Sequence, residues 1–210
     1  MNLYPAVDRL TRGPMMRAYK IRILGGERIP ARGPAVLASN HESILDPWFL
    51  GTATPRQVHY LTKSELFRYP VLKQILEGLG CIPVRRGSDQ GEAVDRGAEV
   101  LGRGEVVGIF PQGTCLPHRT RPFRRGAARL ALAAGAPLVP VLLVGTERSI
   151  QPRTHRIGFP QVTIVVGDPL RVESQEPTRE AAAKLTEQFE QAIAKLREPY
   201  GEPDHVWYDE

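Results

Sequence analysis

The sequence is poor in cysteine, in long apolar runs and in aromatic residues, and each shortage closes off a class of protein. Its two cysteines, Cys81 and Cys115, make neither a disulfide framework nor a zinc-ligand spacing. No apolar stretch approaches the roughly 20 residues that a membrane-spanning helix needs. Asp8, Arg9 and Arg12 stand where a secretory leader would carry an unbroken apolar core, so no signal peptide and a cytoplasmic location are expected. There is no low-complexity tract and no convincing repeat. Aromatic residues form no clustered stacking platform, and no nucleic-acid-binding signature is present, so nucleic acid is not an expected partner. The Gly-x-Ser-x-Gly elbow of α/β hydrolases is absent as well.

What is present suits one folded domain. The chain has 210 residues, 41% apolar and 24% charged, enough for a single sizeable core. The net charge of +5 is unevenly spread. Arg119, Arg121, Arg124, Arg125 and Arg129 fall between Pro117 and Leu130, a window without any acidic residue. A basic segment of this kind attracts anions such as lipid headgroups or phosphorylated substrates.

The hydrophobic pattern predicts alternating strands and helices. Residues 3–19 read as an amphipathic helix, broken or bent near Gly13-Pro14, with Leu3, Val7 and Leu10 on one stripe. That helix suits either a membrane surface or ordinary packing on the domain, the second being the first expectation. Apolar runs at 21–24, 35–39, 58–62, 81–84, 106–110, 138–144 and 161–166 read as strands. Helices are expected after Asp46-Pro47, over 69–79, 91–101 and 124–134, the last closed by Gly135, and over 179–196. The fold class is therefore α/β: a single domain with a largely parallel or mixed central sheet flanked by helices, and an N-terminal amphipathic helical segment. The expected divisions are 1–20 for that segment, 21–198 for the main domain and 199–210 for a tail.

Chemistry concentrates where strands end. His41 leaves the strand at 35–39, and Asp46 follows five positions later. On a straight helix those side chains would point roughly 140° apart. They meet only if His41 sits in a turn and Asp46 at the next helix start, where Pro47 also places it. As an N-cap, Asp46 has a structural role available too. A carboxylate on one imidazole nitrogen fixes the tautomer and leaves the other free to accept a proton. No serine or cysteine nucleophile has a recognisable local signature, so the substrate itself is expected to bring the nucleophile. Arg86 and Gln112-Gly113 also follow strands, and sites in such sheets form at the carboxyl edge.

Asn40-His41-Glu42-Ser43-Ile44-Leu45-Asp46 resembles the N-H-x-S-x-x-D motif of the glycerolipid acyltransferase family, which includes 1-acylglycerol-3-phosphate acyltransferases. Gly80 to Arg86 resembles its second motif, Phe110-Pro111-Gln112-Gly113-Thr114 its F-P-E-G-T motif, Arg121 to Gly126 the basic segment that follows, and Val139-Pro140-Val141 its V-P-V motif. The resemblance implies transfer of an acyl group from acyl-CoA or acyl-carrier protein to a lysophospholipid hydroxyl at a membrane surface, peripherally on the inner face of the cell membrane. It implies His41 as general base and Asp46 as its orienter. It implies Arg86, Gln112, Gly113, Thr114, Arg124 and Arg125 as substrate-binding residues, with no metal and no cofactor beyond the acyl thioester co-substrate. The departure is Gln112 in place of the family glutamate, which bears on the identity of the acceptor. Alternatives are a hydrolase using the same base on water, and a non-catalytic basic protein that binds anionic lipid.

Overall fold

Five consecutive buried residues, Ala35–Ser39, form the strand β2 at the centre of the molecule. Its side chains alternate between two cores. Val36 and Ala38 join Leu130, Leu138, Leu142 and Phe189 on one face, while Ala35 and Leu37 join Phe49, Leu50, Val139 and Ile164 on the other. A strand buried on both sides reads as a continuous apolar run, because helices cover both faces of the sheet. The structure, a computed structural model, describes residues 3–84, 90–113, 122–150 and 156–202.

Seven strands form one sheet: β1 (Arg22–Leu24), β2, β3 (Val58–Lys63), β4 (Ile82–Val84), β5 (Val106–Ile109), β6 (Leu138–Val144) and β7 (Thr163–Val166). Their spatial order is β1-β7-β6-β2-β5-β3-β4. The five strands from β6 to β4 run parallel, and β7 pairs antiparallel to β6 with β1 parallel to it. The sheet is thus mixed, as the sequence pattern anticipates. The helices are α1 (Tyr4–Ala18), α2 (Asp46–Thr52), α3 (Pro70–Gly78), α4 (Gln90–Gly102), α5 (Gly126–Ala134) and α6 (Arg179–Arg197). Gly135 closes α5 in the left-handed region at φ 59°. Connections between parallel strands are right-handed as a rule, and that rule puts α2 and α3 on one face and α4 and α5 on the other.

Two details of the helices depart from the expectation. First, α1 continues through Pro14 rather than breaking there. Its inner side is fixed by Arg12, whose guanidinium donates to the carbonyls of Gly51, Thr52 and Thr54 at 3.3, 2.9 and 2.8 Å. Those carbonyls end α2 and lack helical partners, so a cation there satisfies them and opposes the helix dipole. Trp48 Nε1 donates to Thr11 Oγ1 at 3.1 Å, which pins the same face. The Leu3–Val7–Leu10 stripe is thereby split: Leu10 is 74% exposed and faces away from the domain. Second, Asp46 is not the cap of α2. Leu45 holds that position without a side-chain bond, and the Asp46 carboxylate turns back toward the preceding loop.

Candidate active site

The carboxyl edge of β2 carries the loop that holds His41. Asn40, buried there, extends the sheet by one residue using its side chain. Its Nδ2 donates to the Leu143 carbonyl at 2.9 Å, and the Leu143 amide donates to its Oδ1 at 2.8 Å. The amide side chain thus copies a backbone pair beyond Ser39↔Val141, the last β2–β6 partners. This fixes where the chain leaves the strand, and so where His41 begins.

Asp46 organises the turn that follows. Its Oδ2 accepts from the Glu42 amide at 2.6 Å, the Ser43 amide at 2.7 Å and His41 Nδ1 at 2.9 Å. All three donors meet one oxygen, while Oδ1 is buried without a hydrogen-bond partner. The carboxylate is fully buried and the imidazole side chain 15% exposed. An ionised carboxylate only accepts, so Nδ1 carries the proton and Nε2 presents a lone pair. The ring stacks on Phe110, with centroids 4.2 Å apart and planes 24° from parallel.

Ser43 looks like a nucleophile by type but is engaged elsewhere. Its Oγ lies 2.6 Å from Ser149 Oγ, and Ser149 donates to the Thr146 carbonyl at 2.6 Å. Because each hydroxyl has one proton, Ser43 must donate to Ser149. The Leu45 amide in turn donates to Ser43 Oγ at 3.2 Å. This chain ties the His41 loop to the turn after β6 and leaves Ser43 no proton for His41. Cys81 is no better a nucleophile, since burial pushes its thiol pKa up, away from thiolate.

The segment after β5 closes on the same loop. Phe110–Gly113 is a tight turn, with the Gly113 amide donating to the Phe110 carbonyl at 2.9 Å. Gly113 sits at φ 75°, where a side chain is strained. Gln112 Oε1 accepts from the His41 amide at 2.6 Å. Gln112 therefore holds the backbone of His41, a role open to a neutral acceptor. The Arg124 amide donates to the Pro111 carbonyl at 3.0 Å, which fastens the basic segment to this turn. Its guanidinium lies against Gly113, within 3.4–3.7 Å of where a Cβ would stand. Arg124 and Arg125 are both exposed.

The structure therefore places His41, Asp46, Gln112, Gly113 and Arg124 around the carboxyl edges of the adjacent strands β2 and β5, with Arg125 next to them at the start of α5. Arg86 and Thr114 lie outside the described residues. Among the described residues, no group of three or more His, Cys, Asp or Glu side chains is placed to hold a metal ion. Sequence reasoning missed Ser149 and the pairing role of Asn40. Asn40 follows a buried strand directly, a position where an amide commonly finishes a ladder. Ser149 has no such signal, because its partner is 106 residues away.

One further group stands out. Glu42 is 8% exposed, and its pKa is raised to about 7. Burial is the main cause, with the neighbouring charges of Asp46 and Glu147 adding to it and Arg197 and an Asn40 hydrogen bond opposing it.

A mixed α/β sheet with a carboxylate-oriented histidine at its carboxyl edge, and with Ser43 and Cys81 unsuited to attack, fits the class of enzymes whose substrate supplies the nucleophile. Comparison with known proteins agrees. Residues 20–144 match the family model described as Acyltransferase. A 1-acyl-sn-glycerol-3-phosphate acyltransferase of Bacillus subtilis is 30% identical over 179 residues, 84% of this chain and 87% of that one. The chloroplastic enzyme LPAT1 of Arabidopsis thaliana is 29% identical over 178 residues, and the chain spans 50% of its length. The crystal structure of the 1-acyl-sn-glycerophosphate (LPA) acyltransferase PlsC from Thermotoga maritima shares the fold. Its TM-score is 0.73 at 20% identity, covering 94% of this chain and 82% of that one. The chain belongs to the acyltransferase family.

Proposed function

We propose that the protein transfers a fatty acyl group from a thioester, acyl-CoA or acyl-carrier protein, to the free hydroxyl of 1-acylglycerol 3-phosphate in phospholipid synthesis. The observation that carries this is the dyad itself: Nδ1 of His41 is held by Asp46 at 2.9 Å, and Nε2 is left to take a proton. The acceptor is that of the relatives, which are 1-acyl-sn-glycerol-3-phosphate acyltransferases. His41 Nε2 removes the hydroxyl proton as the acceptor oxygen attacks the thioester carbonyl. The tetrahedral intermediate collapses by breaking the carbon–sulfur bond, and the imidazolium returns its proton to the departing thiolate. Asp46 keeps the ring in the reactive tautomer and stabilises the imidazolium. Arg124 and Arg125, exposed beside Gly113, bind phosphate oxygens of acceptor or donor, as does Arg86; guanidinium forks suit that geometry. Gly113 adjoins Arg124 and, with Thr114, is assigned to substrate binding, and Gln112 serves the site by holding the His41 amide. The lipid acceptor places the enzyme at a membrane surface, on the inner face of the cell membrane. No helix among the described residues is long and apolar enough to cross a membrane; the contact in this reading is peripheral.

The test is a donor and acceptor panel. Labelled acyl-CoA and acyl-carrier-protein thioesters are offered with lysophosphatidic acid and with lysolipids bearing other headgroups. Phosphatidic acid is the expected main product. A preference for another headgroup moves the acceptor, and free fatty acid as the only product makes the enzyme a thioesterase.

A further inference from the structure

The large apolar side chains left exposed are not scattered evenly. Leu66, Tyr69, Val71 and Ile75 are 38, 65, 73 and 43% exposed, and all lie within ten consecutive residues, the short 3-10 turn Ser64–Arg68 and the start of α3. Ile44, between His41 and Asp46, is 66% exposed. The 3-10 turn follows the carboxyl end of β3, and Ile44 follows that of β2. β3 and β2 flank β5, so their ends are ~10 Å apart. The patch thus borders the active-site loop.

α3 itself explains the exposure. Leu72, Leu76 and Leu79 are half-buried toward the domain, while Val71 and Ile75, four apart, share an exposed face about 100° round the helix. A nine-residue helix apolar on two faces has more apolar surface than this domain covers. The surroundings are cationic. Lys63 and Arg68 are exposed beside the patch, and Arg124 and Arg125 stand on the same sheet edge. Lys73 pairs with Glu77 at 3.8 Å, and Glu65 is the other acid of the segment. An apolar centre rimmed by mostly basic residues complements the acyl and headgroup layers of an anionic bilayer. By contrast, α1 spends its inner face on α2 and exposes one large apolar residue, Leu10.

We infer that the 3-10 turn and α3, through Leu66, Tyr69, Val71 and Ile75, form the surface that docks the protein on an anionic lipid bilayer, with the His41 loop facing the membrane beside it. This rests on the acyltransferase reading and names its partner surface. It also assigns the contact to α3 rather than to the N-terminal helix.

The experiment compares wild type, the double variant Val71→Asn/Ile75→Asn, and Leu10→Asn. Each is sedimented with vesicles of phosphatidylglycerol and phosphatidylcholine, and each is assayed with a lysophosphatidic acid short enough to stay monomeric. The double variant is expected to bind vesicles at least tenfold more weakly and to lose a similar factor of activity on vesicle-borne acceptor. Its melting temperature, its elution volume and its activity on the monomeric acceptor should match wild type. Leu10→Asn should bind as wild type does. Undiminished vesicle binding by the double variant, stronger loss in Leu10→Asn, or a wild type that fails to bind overturns the proposal. A change of elution volume with binding retained overturns it too, and makes the patch a contact between copies of the chain. Wild type inactive on the monomeric acceptor would instead overturn the acyltransferase reading, whatever the vesicles show.

Discussion

Replacing Asp46 with asparagine should slow the enzyme modestly, which is unusual for a residue that orients a catalytic histidine. Where asparagine turns its NH2 toward the histidine, the wrong tautomer is fixed and the cost is ~10⁴-fold. Here three donors converge on the single oxygen Oδ2, two of them backbone amides at 2.6 and 2.7 Å. Those amides cannot face an NH2 group, so the new side chain must put its oxygen at the Oδ2 position and its nitrogen at the unpaired Oδ1 position. Nδ1 of His41 keeps an acceptor and the same tautomer. What is lost is the charge. A charge-assisted hydrogen bond is about twice as strong as a neutral one, a difference of ~1–2 kcal/mol for the imidazolium formed during transfer. That corresponds to a fall in kcat of ~5–30-fold, with KM little changed. Asp46→Ala removes the acceptor from three donors and should lower kcat far more, with a stability loss of ~3–6 kcal/mol. Steady-state kinetics with labelled donor, beside chemical unfolding, measures both. A loss above ~10³-fold in a fully folded Asp46→Asn protein would refute the argument from the single shared oxygen.

Other substitutions test other parts of the site. Gln112→Glu keeps an acceptor for the His41 amide and should hold kcat within ~3-fold, whereas Gln112→Ala removes it and should cost ~10-fold or more; equal effects in the assay would remove the backbone-holding role. Ser149→Ala leaves the Ser43 hydroxyl proton without its acceptor in the core, while the Thr146 carbonyl keeps the Ser149 amide, and should destabilise the protein by ~1–3 kcal/mol in urea unfolding; a change below ~0.5 kcal/mol would contradict the hydroxyl chain. Glu42 has a folded pKa of about 7 against an ordinary 4.5, so the folded state holds more protons between those values and stability falls as pH rises through that window. Glu42→Gln should remove that slope and stabilise the protein at pH 8 by up to about 3 kcal/mol, read by urea unfolding at pH 5 and 8; an unchanged slope would contradict the burial of its charge.

The sheet was readable in the sequence because its central strands are buried on both faces. Ala35–Ser39 and Leu138–Val144 are apolar runs too short for most helices and bounded by turn residues. The end of α5 was readable because Gly135 can adopt the left-handed conformation that closes it. The approach of Asp46 to His41 could be framed as a condition, a turn followed by a helix start, and the chain takes that form. The target of the second carboxylate function could not. Capping its own helix and collecting the amides of residues 42 and 43 are equally local, and only the path of the loop decides between them. Side-chain directions set by distant packing were also hidden. Gln112 reaches the His41 amide across 71 positions, and Arg12 reaches the end of α2 across about 40. The outward face of Leu10 follows from that Arg12 contact, because helix periodicity alone gives a stripe without saying which neighbour claims it.

The most direct test of the central claim is the rate of acyl transfer to lysophosphatidic acid by wild type and by His41→Ala, in folded proteins at equal concentration. If His41 is the general base, transfer falls by ~10²–10⁴-fold or more in the variant while its melting temperature is kept. Transfer by the variant at a rate near that of wild type would contradict the mechanism and require a different base.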